Sequence, residues 1–228
     1  MAGILEELLP DGTRGDSTER WLSETYRDLL GRKIDVVGLT NAINAINNGA
    51  SRQQIVLGVE NSLEYRMKYI NGLYFTFLGR AADPVGMDVG LRILGGTPFL
   101  GRAPTVEQLK AMIISSPEYF QKHGGTNAGF LEGVYHDVLG RDIETASLIA
   151  RSNQLASGTT RNAEALQILN SVEAAGVRVQ ADYMNYLHRD TDAQSLISWE
   201  NALVAGMRDE VFLANVIASD EFFARTAP

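Results

Sequence analysis

The sequence predicts an all-α protein made of four tandem repeats of about 48 residues, each of three to four helices, stacked into one compact or elongated helical domain. Three observations predict it. First, a tyrosine is followed five residues later by glycine (histidine in the last copy), then by arginine, then three residues on by an acidic side chain. The four instances are Tyr26-Gly31-Arg32-Asp35, Tyr74-Gly79-Arg80-Asp83, Tyr135-Gly140-Arg141-Glu144 and Tyr183-His188-Arg189-Asp192. Second, each copy closes on Ser-x-Glu, at Ser62–Glu64, Ser116–Glu118, Ser171–Glu173 and Ser219–Glu221, in three cases 36 residues after its tyrosine. Third, the stretches between these marks carry apolar residues at helical spacing, interrupted by cap and stop residues.

The exception to the spacing is as informative as the rule. Tyr26 to Tyr74 and Tyr135 to Tyr183 each span 48 residues, whereas Tyr74 to Tyr135 spans 61. Six of the extra residues fall inside the second copy, within 95–104, and seven lie between Tyr119 and Tyr135, around 123–127. Both segments are rich in glycine, proline, threonine and asparagine, the chemistry of loops. The resulting organisation is a leader at 1–20 and repeats at 21–68, 69–128, 129–176 and 177–228.

Within a repeat the elements follow in order. Trp21, Leu22, Thr25, Tyr26, Leu29 and Leu30 fall on one wide face of a first helix, which Gly31 ends in a left-handed conformation. The acidic residue after the arginine stands where the second helix needs its N-cap, and Pro84 after Asp83 fits the first helical position. That helix is expected to stop near Gly49, Gly96, Gly158 and Gly206. A third helix opens with Ser51 and Gln54, or Thr105 and Gln108, spaced as capping boxes. Its last turn brings Val59, Ile113, Ile168 and Val216 into the core, and the closing serine caps a final short turn of helix.

Composition excludes several functions. A net charge of -8 lacks the lysine and arginine surplus that neutralising nucleic-acid phosphates or anionic lipid demands. The chain has no cysteine, so disulfides and thiol chemistry are absent. Residues 1–10 read as neither a signal peptide nor a membrane span, and no later run is long and apolar enough for membrane insertion.

The recurring polar residues invite a catalytic reading that their recurrence argues against. Arg32, Arg80, Arg141 and Arg189 are expected to bond the free carbonyls at a helix end, and Asp35, Asp83, Glu144 and Asp192 the free N–H groups of the next helix. Tyr26, Tyr74, Tyr135 and Tyr183 read as core aromatics. His123, His136 and His188 lie in different elements without helical pairing, so no metal site, no cofactor and no catalytic residue is assigned. Asp190-Thr191-Asp192 lacks the glycine and glutamate of a calcium loop, and Arg14-Gly15-Asp16 is an adhesion tripeptide by spelling only. An enzyme would have to draw on carboxylates such as Glu132, Asp137 and Glu144. Insertions in repeat proteins gather on one, often binding, face, and this nominates Phe99, Arg102, His123 and Asn127 as binding residues.

The run Tyr-x-x-x-Leu-Gly-Arg at Tyr26–Arg32, Tyr74–Arg80 and Tyr135–Arg141, with the closing Ser-x-Glu-Tyr of Ser62–Tyr65 and Ser116–Tyr119, resembles a bacterial helical repeat family catalogued as domain of unknown function 4214. The resemblance covers nearly the whole chain after Trp21. It implies a part of a large exported or cell-surface protein, distantly like the phycobilisome linker domain and like surface-layer regions that anchor to lipopolysaccharide. The family motif is a packing motif, so no functional residue carries over. The third and fourth copies depart from it at Ala174, His188 and Phe222, and Ser147 and Ser195 stand in place of Gly38 and Gly86. The expected function is a non-catalytic binding or assembly module contacting bacterial surface polysaccharide or protein subunits, with oligomers left open. The alternative is a cytoplasmic scaffold of the phycobilisome-linker type.

Overall fold

A computed structural model describes residue 9, residues 15–95 and residues 105–226. The described residues are helical throughout, with no strand among them. Helices α1 (Ser17–Leu30), α4 (Leu63–Leu78), α8 (Asn127–Val134) and α11 (Val172–Asp182) carry or lead into the four tyrosines; α8 and α11 run on into π-helical turns at Tyr135–Leu139 and Tyr183–Leu187. The second helix of each copy is α2 (Val36–Asn47), α5 (Pro84–Leu94), α9 (Thr145–Ala156) or α12 (Ala193–Val204), and the third is α3 (Arg52–Glu60), α6 (Val106–Ile114), α10 (Arg161–Leu169) or α13 (Asp209–Ile217). Two short helices, α7 (Pro117–Lys122) and α14 (Asp220–Thr226), complete the set.

The caps form where the sequence places them. Asp35, Asp83 and Asp192 accept from the N–H groups of Gly38, Gly86 and Ser195 at 2.8, 2.8 and 2.9 Å, whereas Glu144, one methylene longer, makes no side-chain cap bond. Ser51 with Gln54 and Thr105 with Gln108 close reciprocal capping boxes. Gly49, Gly158 and Gly206 take positive φ just beyond α2, α9 and α12, while Gly96 lies outside the described residues. Val59, Ile113, Ile168 and Val216 are all buried.

Two expectations need correction. The leader does not extend to residue 20: α1 begins at Ser17, because Asp16 accepts from the N–H groups of Thr18 and Glu19 while Glu19 accepts from that of Asp16. That cap is the structural role of the aspartate in the adhesion-like tripeptide. Nor is the closing turn always separate. After Ser62 and Ser171 it runs straight into the next tyrosine helix, as α4 and as α11 with its π turn. Only the seven extra residues around 123–127 split it, into α7 and α8, where Gly124 and Gly125 both take positive φ.

The chain divides into two compact units whose limits do not follow the copies: residues 1–65, 182–190 and 210–228 form one, and residues 66–181 and 191–209 the other. In the first, α1 packs on α2, α3 and α14, and the Trp21 indole N–H donates to the Ile217 carbonyl at 2.9 Å. In the second, α6 packs on α10, and Ile70, Leu109, Ile114, Tyr119, Phe130, Leu131 and Ala165 are fully buried in one core.

Candidate functional site

The recurring residues converge into one cluster per copy. Each motif arginine grips the glutamate of the closing Ser-x-Glu with both Nε and Nη2. The Nη2 distances are 2.8 Å (Arg32–Glu64), 2.6 Å (Arg80–Glu118), 2.9 Å (Arg141–Glu173) and 2.7 Å (Arg189–Glu221). The remaining Nη1 donates to the carbonyl of the residue next in the chain, Lys33, Ala81, Asp142 or Asp190. The guanidinium also lies over the ring of its own tyrosine, at 5.6, 5.5, 5.1 and 5.1 Å. The expected bonding of arginine to helix-end carbonyls is therefore corrected: the glutamate is its main partner. Bidentate geometry explains why this residue is arginine rather than lysine. Hydrogen bonding to the arginine holds the Glu118 and Glu173 carboxyls below their usual range.

The nominated binding residues separate. Phe99 and Arg102 lie outside the described residues. His123 closes α7 with its ring 4.3 Å from that of Tyr119 and Nε2 3.8 Å from Asp137. Gly133 leaves room for that ring, since a methyl group there would sit 2.4 Å from Nδ1. Burial, opposed by Asp137, lowers the pKa of His123, so the imidazole is a packed part of the α7–α8 turn. Asn127 is the first residue of α8, half-buried at the same turn. Of the carboxylates considered for an enzyme, Asp137 accepts from the Tyr119 hydroxyl, Glu144 is held by Arg141, and Glu132 is exposed.

A different site emerges when the copies are aligned on their tyrosines and each departure is followed into the structure. A cavity of about 260 Å³ opens in the second unit, its lining including Thr105, Gln108, Asn170, Leu203, Met207 and Arg208 together with three charged side chains of its inner wall. Those are Glu107 on α6, Arg178 on α11 and Asp209 at the start of α13, with Lys110 of α6 paired to Asp209. Arg178 Nε stands 3.4 Å from Asp209, Arg178 Nη1 3.6 Å from Glu107, and Lys110 Nζ 3.5 Å from Asp209. Arg178 Nη1 also donates to the Leu169 carbonyl at 2.9 Å.

Two of these charges replace core, whereas Glu107 and Asp209 stand where the other copies mostly carry polar or charged residues. Arg178 occupies the position of Trp21, Tyr69 and Phe130 in the other tyrosine helices, and Lys110 that of Val56, Ala165 and Leu213. Two buried atoms, Glu107 Oε1 and Arg178 Nε, make no hydrogen bond among the described residues. Unsatisfied groups of this kind are expensive and call for an explanation. Burial and the neighbouring Asp209 charge raise the Glu107 pKa against the pull of Lys110 and Arg178. Burial works the same way on Asp209, but Lys110 and Arg178 overcome it and keep that carboxyl low. The signal for this site was in the sequence, as charge where the other copies are apolar; the insertions alone pointed only to its neighbourhood, since Thr105 follows directly on 95–104.

A second departure is Glu60, which stands where the other copies have Ile114, Leu169 and Ile217. It is 3% exposed, and neither carboxyl oxygen makes a hydrogen bond among the described residues. Burial, with Glu210 and Asp182 nearby, pushes its pKa up to about 9. A third is the pair Arg151–Glu164, where the other copies have Ala42 and Ile55, Gly90 and Leu109, or Trp199 and Phe212; Arg151 Nε also donates to the Tyr135 hydroxyl.

Among the described residues no helix is long and apolar enough to cross a membrane, and no group of three or more His, Cys, Asp and Glu is placed to hold a metal ion. No curated protein and no solved structure matches the chain. A family model matches residues 12–69 and 111–177, more than half of the chain. Glu107, Lys110, Arg178 and Asp209 fall outside those two segments, whereas Leu166 and Asn170 of the cavity lining fall inside the second. On that match, and on the Tyr, Gly-Arg and Ser-x-Glu clusters, the chain belongs to the family described as a domain of unknown function (DUF4214).

Proposed function

We propose that this chain is a non-catalytic binding and assembly module of a bacterial exported or cell-surface protein, and that the α6–α10–α11 cavity receives one sugar unit of a surface polysaccharide. The observation that carries the reading is the cavity itself: Arg178 on its lining, and Lys110 paired to Asp209 behind it, stand where the three other copies of the same repeat have apolar or aromatic side chains, and buried polar atoms there make no hydrogen bond among the described residues. A pocket of about 260 Å³ is small for a ligand site and suits a single ring rather than a long chain. Its wall combines amide and charged groups with Leu203 and Met207, matching a ligand with a hydroxyl rim and a C–H face. Exported location is supported by the family resemblance.

Calorimetric titration against a panel of bacterial polysaccharide fragments tests the proposal. Saturable binding to at least one fragment, abolished by Arg178→Met in a protein that melts as the parent does, is the expected result. Silence across the panel contradicts it.

Contact with a neighbouring subunit is a second reading, favoured by one observation. Ile149 on α9 and Ile197 on α12 hold corresponding positions and are 58% and 53% exposed, and α9 has no buried residue. Concentration-dependent oligomers lost on Ile149→Ser with Ile197→Ser support it. Native protein found only in the cytosol instead favours the intracellular linker-type scaffold.

A further inference from the structure

We infer that two copies of this chain join by seating the Phe75 ring of one in a pocket that α1, α2 and α3 of the other form. The contact is independent of the glycan cavity and of the face that carries Ile149 and Ile197.

The pocket is a departure of the first copy. It measures about 370 Å³, with Ala42, Ala45, Ile55 and Val59 among its apolar lining and Tyr26 and Gln54 among the polar. Three small residues open it. Ala42, Ala45 and Gly58 stand where the second copy has Gly90, Ile93 and Met112, the third Arg151, Gln154 and Gln167, and the fourth Trp199, Ala202 and Asn215. In the second copy Ile93 and Met112 pack on the core, and Ile70 takes the room at Gly90, where a methyl group would lie 2.9 Å from it. In the third, Arg151 reaches across to the Tyr135 hydroxyl. A methyl group at Gly58 would meet nothing within 4 Å, so packing within the chain does not call for glycine there. Glycine inside a helix is unfavourable, and in the first copy that cost keeps the pocket clear.

The other copies indicate what completes it. Arg151 comes with Glu164 as its counter-charge, but the matching residue of the pocket is Ile55, apolar like Phe212 of the copy that has Trp199. The pocket therefore suits an aromatic ring better than a cation. The chain carries such a ring: Phe75 on α4 is 58% exposed and is the only exposed aromatic side chain among the described residues. Phe75 and Gly72 stand where the first copy has Arg27 and Glu24, an ion pair suited to water. The second copy thus sets an apolar ring in place of charge. It also clears the turn beside the ring, since a methyl group at Gly72 would meet nothing within 4 Å, and a partner backbone can approach there. Ring and pocket are unlike faces of one chain, and such faces join copies to one another.

Sedimentation velocity over a range of concentrations tests the contact. The parent protein should associate as its concentration rises. Phe75→Ser, and separately Ala45→Ile with Gly58→Met, which rebuilds the filling of the second copy, should each weaken association roughly tenfold or more. Gly58→Met alone, a change at an exposed position, replaces the double variant if that one melts early. The two kinds of variant are then mixed. One keeps the pocket and the other the ring, so the mixture should form dimers and nothing larger. Ile149→Ser with Ile197→Ser should leave these results unchanged. A parent protein that stays monomeric at every concentration overturns the inference. So does association that survives Phe75→Ser or the filled pocket, and so does a mixture that stays monomeric.

Discussion

Arg32 and Glu64 lie 32 positions apart in the chain and meet through two parallel N–H···O bonds, and the pairs Arg141–Glu173 and Arg189–Glu221 repeat both the separation and the geometry. Arg80–Glu118 does so at 38, the six extra residues of the second copy having been absorbed elsewhere. The pair ties the end of the first helix of a copy to its closing turn. It also explains why the glutamate of Ser-x-Glu recurs, which the helix dipole alone accounts for weakly.

These clusters are half-exposed, with Arg32 and Glu64 at 39% and 46%, so solvent screens them. A double-mutant cycle of Arg32→Ala and Glu64→Ala, read by urea denaturation, should give a coupling of about 0.5–1 kcal/mol that shrinks in molar salt. A coupling of several kcal/mol would mean that the pair is the principal bond of the copy rather than its trim.

Glycines of this chain divide by what surrounds them. A methyl group at Gly86 would lie 2.2 Å from the Tyr74 hydroxyl and 2.7 Å from its ring, whereas one at Gly72, inside α4, meets nothing within 4 Å. Gly86→Ala should therefore lose about 1–3 kcal/mol of stability through overpacking. Gly72→Ala should gain about 0.5–1 kcal/mol through helix propensity. Thermal denaturation of both variants decides the point, and equal signs would show that the tyrosine does not rest on Gly86.

Glu60 makes a prediction about pH. Unfolded, its carboxyl ionises near 4.5; folded, it remains protonated up to about 9. Between those values the folded state holds the extra proton, so this group's contribution to stability is complete below 4.5, falls as pH rises and levels off above about 9. Glu60→Ile, the residue of the second and fourth copies, should flatten that decline and raise stability at neutral pH by about 1–4 kcal/mol. Chemical denaturation from pH 5 to 9.5 checks it; an unchanged slope in the variant would assign the decline to another group.

Much of the fold was legible because caps and stops act locally: Asp35, Asp83, Ser51, Thr105 and the closing serines do what their spacing implies. Asp16 was missed because its partner Glu19 lies inside a segment that reads as leader, and the fusion of closing turn and tyrosine helix was missed because nothing in Tyr65–Tyr74 says where one helix ends. The π turns at Tyr135 and Tyr183 occur in the two copies with Ser147 and Ser195 in place of Gly38 and Gly86. A side chain at that position would crowd a tyrosine placed as Tyr74 is, and a π turn shifts the ring. The site was half legible. The insertions pointed to Thr105 and His123, but Lys110 and Arg178 lie far apart in sequence, and only folding shows that two charged residues out of pattern meet at one carboxylate, Asp209.

If the cavity charges serve a ligand and the repeat does not need them, restoring the residues of the other copies should leave the fold intact. The direct test is the melting temperature of one variant carrying Glu107→Gln, Lys110→Val, Arg178→Phe and Asp209→Val, compared with the parent protein. Replacing buried charges with apolar groups that fit is neutral or stabilising, so the transition is expected to stay in place or rise by a few degrees. A fall of about 8 °C or more would show that Lys110, Arg178, Glu107 and Asp209 hold the unit together, and the account of a site added to a repeated frame would be wrong.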